Sequence, residues 1–268
     1  MKKFNLLVII FILAGIIQTA KSQEEKSNAA DMIVSADLMS RYIWRGTQFG
    51  GSSPSIQPNL ALTYKGFEVG AWGAFSVGGV NFAQELDLYL SYTFVNKMVT
   101  VSFTDYFFPN ESLDYKYFNY KKDETGHILE ISASFNGTEN LPLSFLVGIN
   151  TWGADAIKLE DNQTSTDFNT KKGIQYSTYL ELSYVTKINS YDLKPFIGAT
   201  LNNPKKEDLT TGFIGETGFY GKSAGVVNLG LTAAKTIEFS DKFSLPMSIS
   251  LITNPQAEKI HLVFGFTF

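Results

Sequence analysis

The 268-residue sequence contains no cysteine. A disulfide-stapled secreted domain is therefore excluded. After residue 22 no apolar run approaches 18 residues, so no spanning helix is expected in the rest of the chain. Basic residues do not predominate: 22 Lys plus Arg stand against 26 Asp plus Glu, which gives no reason to expect a nucleic-acid partner. Histidine is scarce, with only His127 and His261, and no metal cluster, phosphate loop or nucleotide motif is present, so no cofactor or metal is expected.

The first 22 residues read as a cleaved signal peptide. Lys2 and Lys3 form a charged start, an apolar run follows from Phe4 to Ile17, and Ala20-Lys21-Ser22 places small residues where a signal peptidase reads them. The alternative, a membrane anchor, would need a longer apolar run. Removal of 1–22 takes Lys2, Lys3 and Lys21, leaving 246 residues (268 − 22) and a charge of −7 (19 − 26). A short periplasmic segment, 23–31, is expected to precede a single domain over 32–268.

What the chain has in abundance is aromatics, with 22 Phe, 13 Tyr and 3 Trp, arranged in a period of two. At the C-terminus Ile260, Leu262, Phe264, Phe266 and Phe268 share one face, and Lys259, His261, Val263, Gly265 and Thr267 share the other. Leu86, Leu88, Leu90, Tyr92 and Phe94 repeat the apolar face, opposite Glu85, Asp87, Tyr89, Ser91 and Thr93. Such alternation is a strand with one apolar and one polar side. Twelve segments qualify: 32–45, 54–65, 67–78, 84–96, 98–108, 127–136, 143–153, 173–187, 192–202, 222–238, 243–253 and 258–268. Their connections alternate between tight turns and a second set that holds every long polar loop.

This is the pattern of an all-β, transmembrane, antiparallel up-and-down β-barrel of about 12 strands, with short periplasmic turns and longer extracellular loops. Closure satisfies every backbone donor and acceptor in lipid. Tyr42 and Trp44 are expected outside at one rim, and Tyr64, Tyr92 and Phe94 at the other, as interfacial girdles. A soluble sandwich also alternates, but the strictness of the apolar face and the terminal Phe268 favour the barrel. Pro58, inside the second segment, predicts a bulge or a shifted boundary.

Only two of the basic residues are arginines, and both lie in Ser40-Arg-Tyr-Ile-Trp-Arg-Gly46. In the first strand, 32–45, the register that points Asp37, Arg41 and Arg45 at lipid is the costly one, since lipid-facing Arg costs about 2–4 kcal/mol near the midplane. Both arginines then face the lumen. Arg41, Arg45, Lys259 and His261 would form a basic wall at the outer mouth, facing an acidic wall of Glu85 and Asp87. The plainer reading is local pairing, with Arg41 bridged to a carboxylate such as Asp37 or Glu85. Inward Gly70, Gly148, Gly198, Gly230 and Gly265 would widen the lumen, and inward Trp72, Tyr89, Tyr179 and Phe196 would narrow it.

The segment from Ser40 to Tyr92 resembles the TorF family of porin-like proteins, also known as the Gcw_chp family. The matching features are Arg45-Gly46 after an aromatic strand, Ser53-Pro54 with Gln57, Gly66-Phe67 with Gly70 and Trp72, then Glu85-Leu-Asp87 and Tyr92. Thr47-Gln48-Phe49-Gly50 is a looser version of the polar run that follows Arg-Gly in that family. The resemblance implies an outer-membrane location and channel activity, and transfers no catalytic or ligand residues.

The expected function is a porin-like channel for passive diffusion of small polar or charged solutes. Expected partners are outer-membrane lipid, barrel-assembly machinery acting through the strand that ends at Phe268, and those solutes; a monomer is favoured. The alternative is a plugged barrel acting as a ligand-binding or adhesive surface protein. For that, the 109–126 loop offers Tyr115, Lys116, Tyr117, Phe118 and Tyr120, rings and cations suited to stacking; the blander expectation is that this loop folds over the mouth and buries its own rings. An enzyme is not expected: His127 follows Asp123 and Glu124, but no serine is placed to act as its nucleophile.

Overall fold

The computed structural model describes residues 29–78, 84–109, 116–241 and 243–268. The expected signal peptide, the start of the segment after it and Tyr115 lie outside the described residues. Twelve strands form one sheet closed on itself: β1 (Asp31–Met39), β2 (Ser55–Tyr64), β3 (Phe67–Ser76), β4 (Gln84–Phe94), β5 (Val99–Phe107), β6 (His127–Phe135), β7 (Leu143–Gly153), β8 (Thr178–Tyr184), β9 (Tyr191–Thr200), β10 (Gly225–Ser240), β11 (Phe243–Asn254) and β12 (Lys259–Thr267). Each pairs antiparallel with its sequence neighbours, and β1 pairs with β12. The seam is closed down to the last residue, where Ala36 and Phe268 exchange backbone hydrogen bonds of 3.1 and 2.9 Å.

Alternation sets which side chains face outward. Leu60, Leu62, Val69, Leu88, Leu90, Ile131, Leu231, Leu251, Leu262 and Phe264 are each 44–61% exposed, whereas Glu85 and Asp87 are buried inside. A continuous exposed apolar surface of this kind, wrapped around a polar interior, is stable in hydrocarbon and aggregation-prone in water. At the short-turn end Tyr64, Phe67, Tyr92, Tyr184, Tyr191, Phe239 and Phe243 are exposed rings, with Phe67 tilted against Tyr92 at 4.4 Å and Phe239 stacked on Phe243 at 5.5 Å. This is the expected lower girdle, extended around the barrel.

Three expectations change. First, β1 ends at Met39 and not at residue 45. The chain bends at Ser40-Arg41, and Tyr42–Trp44 pairs with Thr47–Phe49 as a separate ribbon. Tyr42 and Trp44 consequently point inward: Tyr42 lies against the inward Trp72 at 5.6 Å and Trp44 against Tyr106 at 5.2 Å. They are not an outer girdle. Second, Pro58 causes neither a bulge nor a boundary. Ile56↔Phe75 and Asn59↔Trp72 keep one register on either side of it, and Ala36↔Pro58 holds the other edge. The missing N–H opens the β2–β3 ladder locally without shifting it. Third, the inward glycines do not widen the lumen. A Cβ at Gly70, Gly148, Gly198, Gly230 or Gly265 would collide with Tyr89, Glu130, Tyr179, Phe196 or Met39 respectively, each within 2.7 Å. Every one of these glycines is the seat of a large side chain from a neighbouring strand.

Candidate functional site: a hairpin plug latched in the outer mouth

The hairpin over 42–49 turns on Arg45-Gly46, with φ of 49° and 80°. Two successive left-handed residues make the tight turn that matches strand twist, and glycine at the second position removes the steric penalty there. The tip seats deep. A Cβ on Gly46 would fall 2.0 Å from the Val227 carbonyl oxygen, and Asn254 Nδ2 donates to the Gly46 carbonyl at 3.2 Å. Val227 is the residue passed over where the β9–β10 register shifts, so a bulge in the wall receives the tip.

From that tip the Arg45 side chain crosses to Glu130 on β6. Nη2 donates to Oε1 at 2.8 Å, Nη1 donates to Oε2, and Nη1 also meets the Tyr220 hydroxyl at 2.5 Å. Tyr106 donates to Glu130 Oε1 at 3.1 Å. The guanidinium lies 4.5 Å from the Trp44 ring centre and 4.7 Å from that of Tyr179. Side-chain exposure is 8% for Arg45 and 1% for Glu130. A fork-to-fork pair with its remaining lone pairs occupied and aromatic faces around it is the geometry in which a buried ion pair holds. A second register shift, between Leu129 and Glu130 against β7, adjoins the carboxylate.

The other residues singled out in the sequence divide around this latch. Arg41, at the base of the hairpin, donates to Gln48 Oε1 at 3.4 Å. Lys259 and His261 lie two apart on one face of β12. Arg45 is paired with Glu130 and does not stand as an open cation at the mouth. It is the arginine that pairs with a carboxylate, whereas Arg41 forms no ion pair with Asp37 or Glu85 among the described residues. Glu85 and Asp87 stand together on β4, with Glu85 Oε1, Glu85 Oε2 and Asp87 Oδ1 accepting no hydrogen bond among the described residues. Tyr42 of the hairpin lies beside them.

Among the described residues of the 109–126 loop, Tyr117 and Tyr120 pack against the outer side of the barrel wall. Thr104 and Tyr106 line the lumen, so Asp105 and Phe107 between and beyond them point outward. His127, paired across from Phe107, is on that same outer side. The loop packs there: Tyr120 stacks on His127 at 4.0 Å and donates to Asp105 Oδ2 at 2.6 Å, and Tyr117 meets Phe107 edge-on. His127 Nδ1 lies 2.7 Å from Asp105 Oδ1 and Nε2 lies 2.6 Å from the Tyr117 carbonyl oxygen, so both ring nitrogens are engaged. Phe118 is 90% exposed and meets the Tyr117 ring edge-on at 5.1 Å, and Lys116 and Tyr120 are exposed as well. Asp123 is ion-paired with Lys171 and is held below the usual carboxylate range by it.

The mouth is filled instead by the hairpin and by Phe219-Tyr220. Trp44 packs on Phe219 at 6.3 Å and Tyr220 at 5.8 Å, and Tyr220 packs on Tyr179 at 5.4 Å. Above it the 154–177 and 201–224 loops are tied together. Gln163 donates to the Thr211 carbonyl, Asn169 to the Gly212 carbonyl, and Glu216 accepts from the backbone of both Leu159 and Lys205. Lys205 pairs with Asp161 and Lys172 with Glu160, which holds both carboxyls low.

Sequence reasoning placed Tyr179 inward but overlooked Glu130, Tyr220 and Tyr106. The one signal pointing to the hairpin was Arg45-Gly46 itself, a residue-glycine pair between two short apolar runs, which is a tight-turn signature. Glu130 carries no local mark of its role.

A family model described as "Bacterial protein of unknown function (Gcw_chp)" matches residues 23–189. No curated protein matches. Among solved structures the chain is similar to the "Salmonella typhi OmpF complex with Daunomycin", at 10% identity over 88% of this chain and 97% of that chain, with a TM-score of 0.34.

Proposed function

The chain belongs to the Gcw_chp family, and from that membership and the barrel we propose that it is an outer-membrane channel for passive diffusion of small polar or charged solutes, closed at its outer mouth by the 42–49 hairpin. The observation that carries this reading is the contrast between the barrel's two faces. The outer face is an apolar belt that only lipid would satisfy, and the interior holds buried charge that only a lumen would require. Twelve strands enclose more than the side-chain-filled interior of an eight-stranded barrel and less than the open pore of a sixteen-stranded one. A plug of eight residues is enough to close such a bore. In this reading the Arg45–Glu130 pair is the latch, and solutes pass when the hairpin withdraws. Removal of 1–22 as a signal peptide and insertion through the strand ending at Phe268 belong to the same proposal.

Refolded chain reconstituted in a planar bilayer tests it. Discrete current steps are expected, infrequent while the latch is intact. A correctly folded barrel that gives no steps at any voltage would overturn the channel reading. A second reading, surface ligand binding, draws on the tied 154–177 and 201–224 loops, which present a braced external surface. Loss of binding to cells or polysaccharide on trimming those loops, with no conductance in the parent, would favour it.

A further inference from the structure

Below the plug, on the periplasmic side of Tyr42, the lumen contains a cavity of about 540 Å³. Its wall holds two carboxylates, Asp37 and Asp87, and three aromatic rings, Trp72, Tyr89 and Tyr106, among neutral polar side chains; no Lys, Arg or His lines it. We propose that this cavity is a binding site for an organic ammonium ion.

The first argument is charge. Asp87 is 5% exposed and its neighbour Glu85 on the same strand face is 2% exposed. Asp87 Oδ1, on the carboxylate that lines the cavity, accepts no hydrogen bond among the described residues, while Glu85 lies beside the Tyr42 hydroxyl. Two carboxylates this close and this buried repel each other and lose their hydration, an arrangement that persists only when something else compensates. Arg45 of the plug is spent on Glu130, and no Lys, Arg or His lines the cavity. The compensating charge must therefore come from a proton or from a bound cation, and the cavity beside Asp87 has room for the latter.

The second argument is the form of the wall. Aromatic faces attract ammonium groups within about 6 Å of the ring centre, most strongly when the groups are desolvated. These rings are held in place: the Tyr89 hydroxyl donates to Glu68 at 2.9 Å and lies 3.1 Å from Asn59 Oδ1, Tyr106 donates to Glu130, and Trp72 packs against Tyr42. Asp37 is fixed by the Thr267 hydroxyl at 2.6 Å. Carboxylates that supply the countercharge, and rings that accept the alkyl or aryl part, together select a primary or quaternary amine over a metal ion. No group of three acidic or histidine ligands suited to a metal occurs among the described residues. A cavity of this size lies within the range of small-molecule sites, about 300–1,000 Å³.

The test is calorimetric titration of the folded full-length barrel in detergent with three probes of one shape: benzylammonium, benzyl alcohol and benzoate. Benzylammonium is expected to bind at least tenfold more tightly than the alcohol, with no heat from benzoate, and Asp87→Asn is expected to weaken it at least tenfold. Equal binding of the alcohol, or unchanged binding in Asp87→Asn, would overturn the proposal. Heat-modifiable migration on gels reports whether the variant is folded. Asp37→Asn, at a less buried position, provides the same comparison if Asp87→Asn does not fold. The measurement needs no conduction, so a barrel that binds the amine but never passes current would retain this site and refute the channel reading alone.

Discussion

Replacing Arg45 with alanine should release the plug. The substitution removes both arms of the fork to Glu130, the contact with the Tyr220 hydroxyl and the stacking on Trp44 and Tyr179. It leaves the Glu130 carboxylate, 1% exposed, without its cation. Breaking a buried pair in this way costs roughly 3–5 kcal/mol. The cost falls on the seated hairpin, because a withdrawn hairpin lets water reach Glu130. With tenfold per 1.4 kcal/mol, the ratio of withdrawn to seated plug should rise by roughly two to almost four orders of magnitude. The chain has no cysteine, so a single Gln48→Cys reporter is clean. Its reaction with a water-soluble maleimide should accelerate by at least a hundredfold in the Arg45→Ala background. Arg41→Ala should move the rate little, because its one long contact, to Gln48, is already absent from the reporter and Arg41 is not the latch. A labelling rate in Arg45→Ala within twofold of the parent, in protein that still migrates as a folded barrel, would refute the latch.

Gly46→Ala should unseat the same tip by a different route, because φ is +80° and the added Cβ would sit 2.0 Å from the Val227 carbonyl oxygen; cysteine labelling at position 48 should match that of Arg45→Ala. Glu130→Gln keeps the side chain's shape but leaves Arg45 without a counter-ion. Its cost and that of Arg45→Ala should not add, and a double-mutant cycle on thermal unfolding in detergent should return a coupling of more than about 1 kcal/mol. Additive losses would mean that the two groups act separately. The external loops should loosen in acid: Asp123, Glu160 and Asp161 are held below their ordinary values of 3.8, 4.5 and 3.8 by Lys171, Lys172 and Lys205. A lowered folded-state value means that the stabilisation is complete above the unfolded value and fades as pH falls through the folded one. Hydrogen exchange in 154–177 and 201–224 should therefore be flat from pH 7 to 5, after correction for intrinsic rate, and should rise below about pH 4. An unchanged corrected rate at pH 3 would exclude these pairs as the tie.

The barrel was legible because its physics is local and repetitive. Each strand carries its own alternation, and the faces of Ile260 to Phe268 or of Glu85 to Phe94 follow from pleat geometry alone. The plug was not legible because its physics is neither. Alternation continues smoothly from Val34 to Trp44, and the cost of arginine in lipid settles its register only if the strand continues. It ends at Met39, and the residues beyond obey the packing of a lumen, where Tyr42 and Trp44 meet Trp72 and Tyr106. Glu130 lies 85 positions from Arg45, and only the closed barrel brings them together. The glycines show the same limit. Gly198 gives no sign in sequence that Tyr179 fills its place, because the pairing that brings them together joins two strands. Pro58 shows that one missing donor can leave a register intact when the ladder on the other edge holds.

The measurement that bears most directly on the channel reading is single-channel current through Arg45→Ala and the parent in the same bilayer, under a salt gradient. The account predicts brief, infrequent steps for the parent, long-lived steps of the same unit size for Arg45→Ala, and a reversal potential of the same sign in both. Two folded barrels that are equally silent would contradict it, because then the lumen would carry nothing even with its plug released.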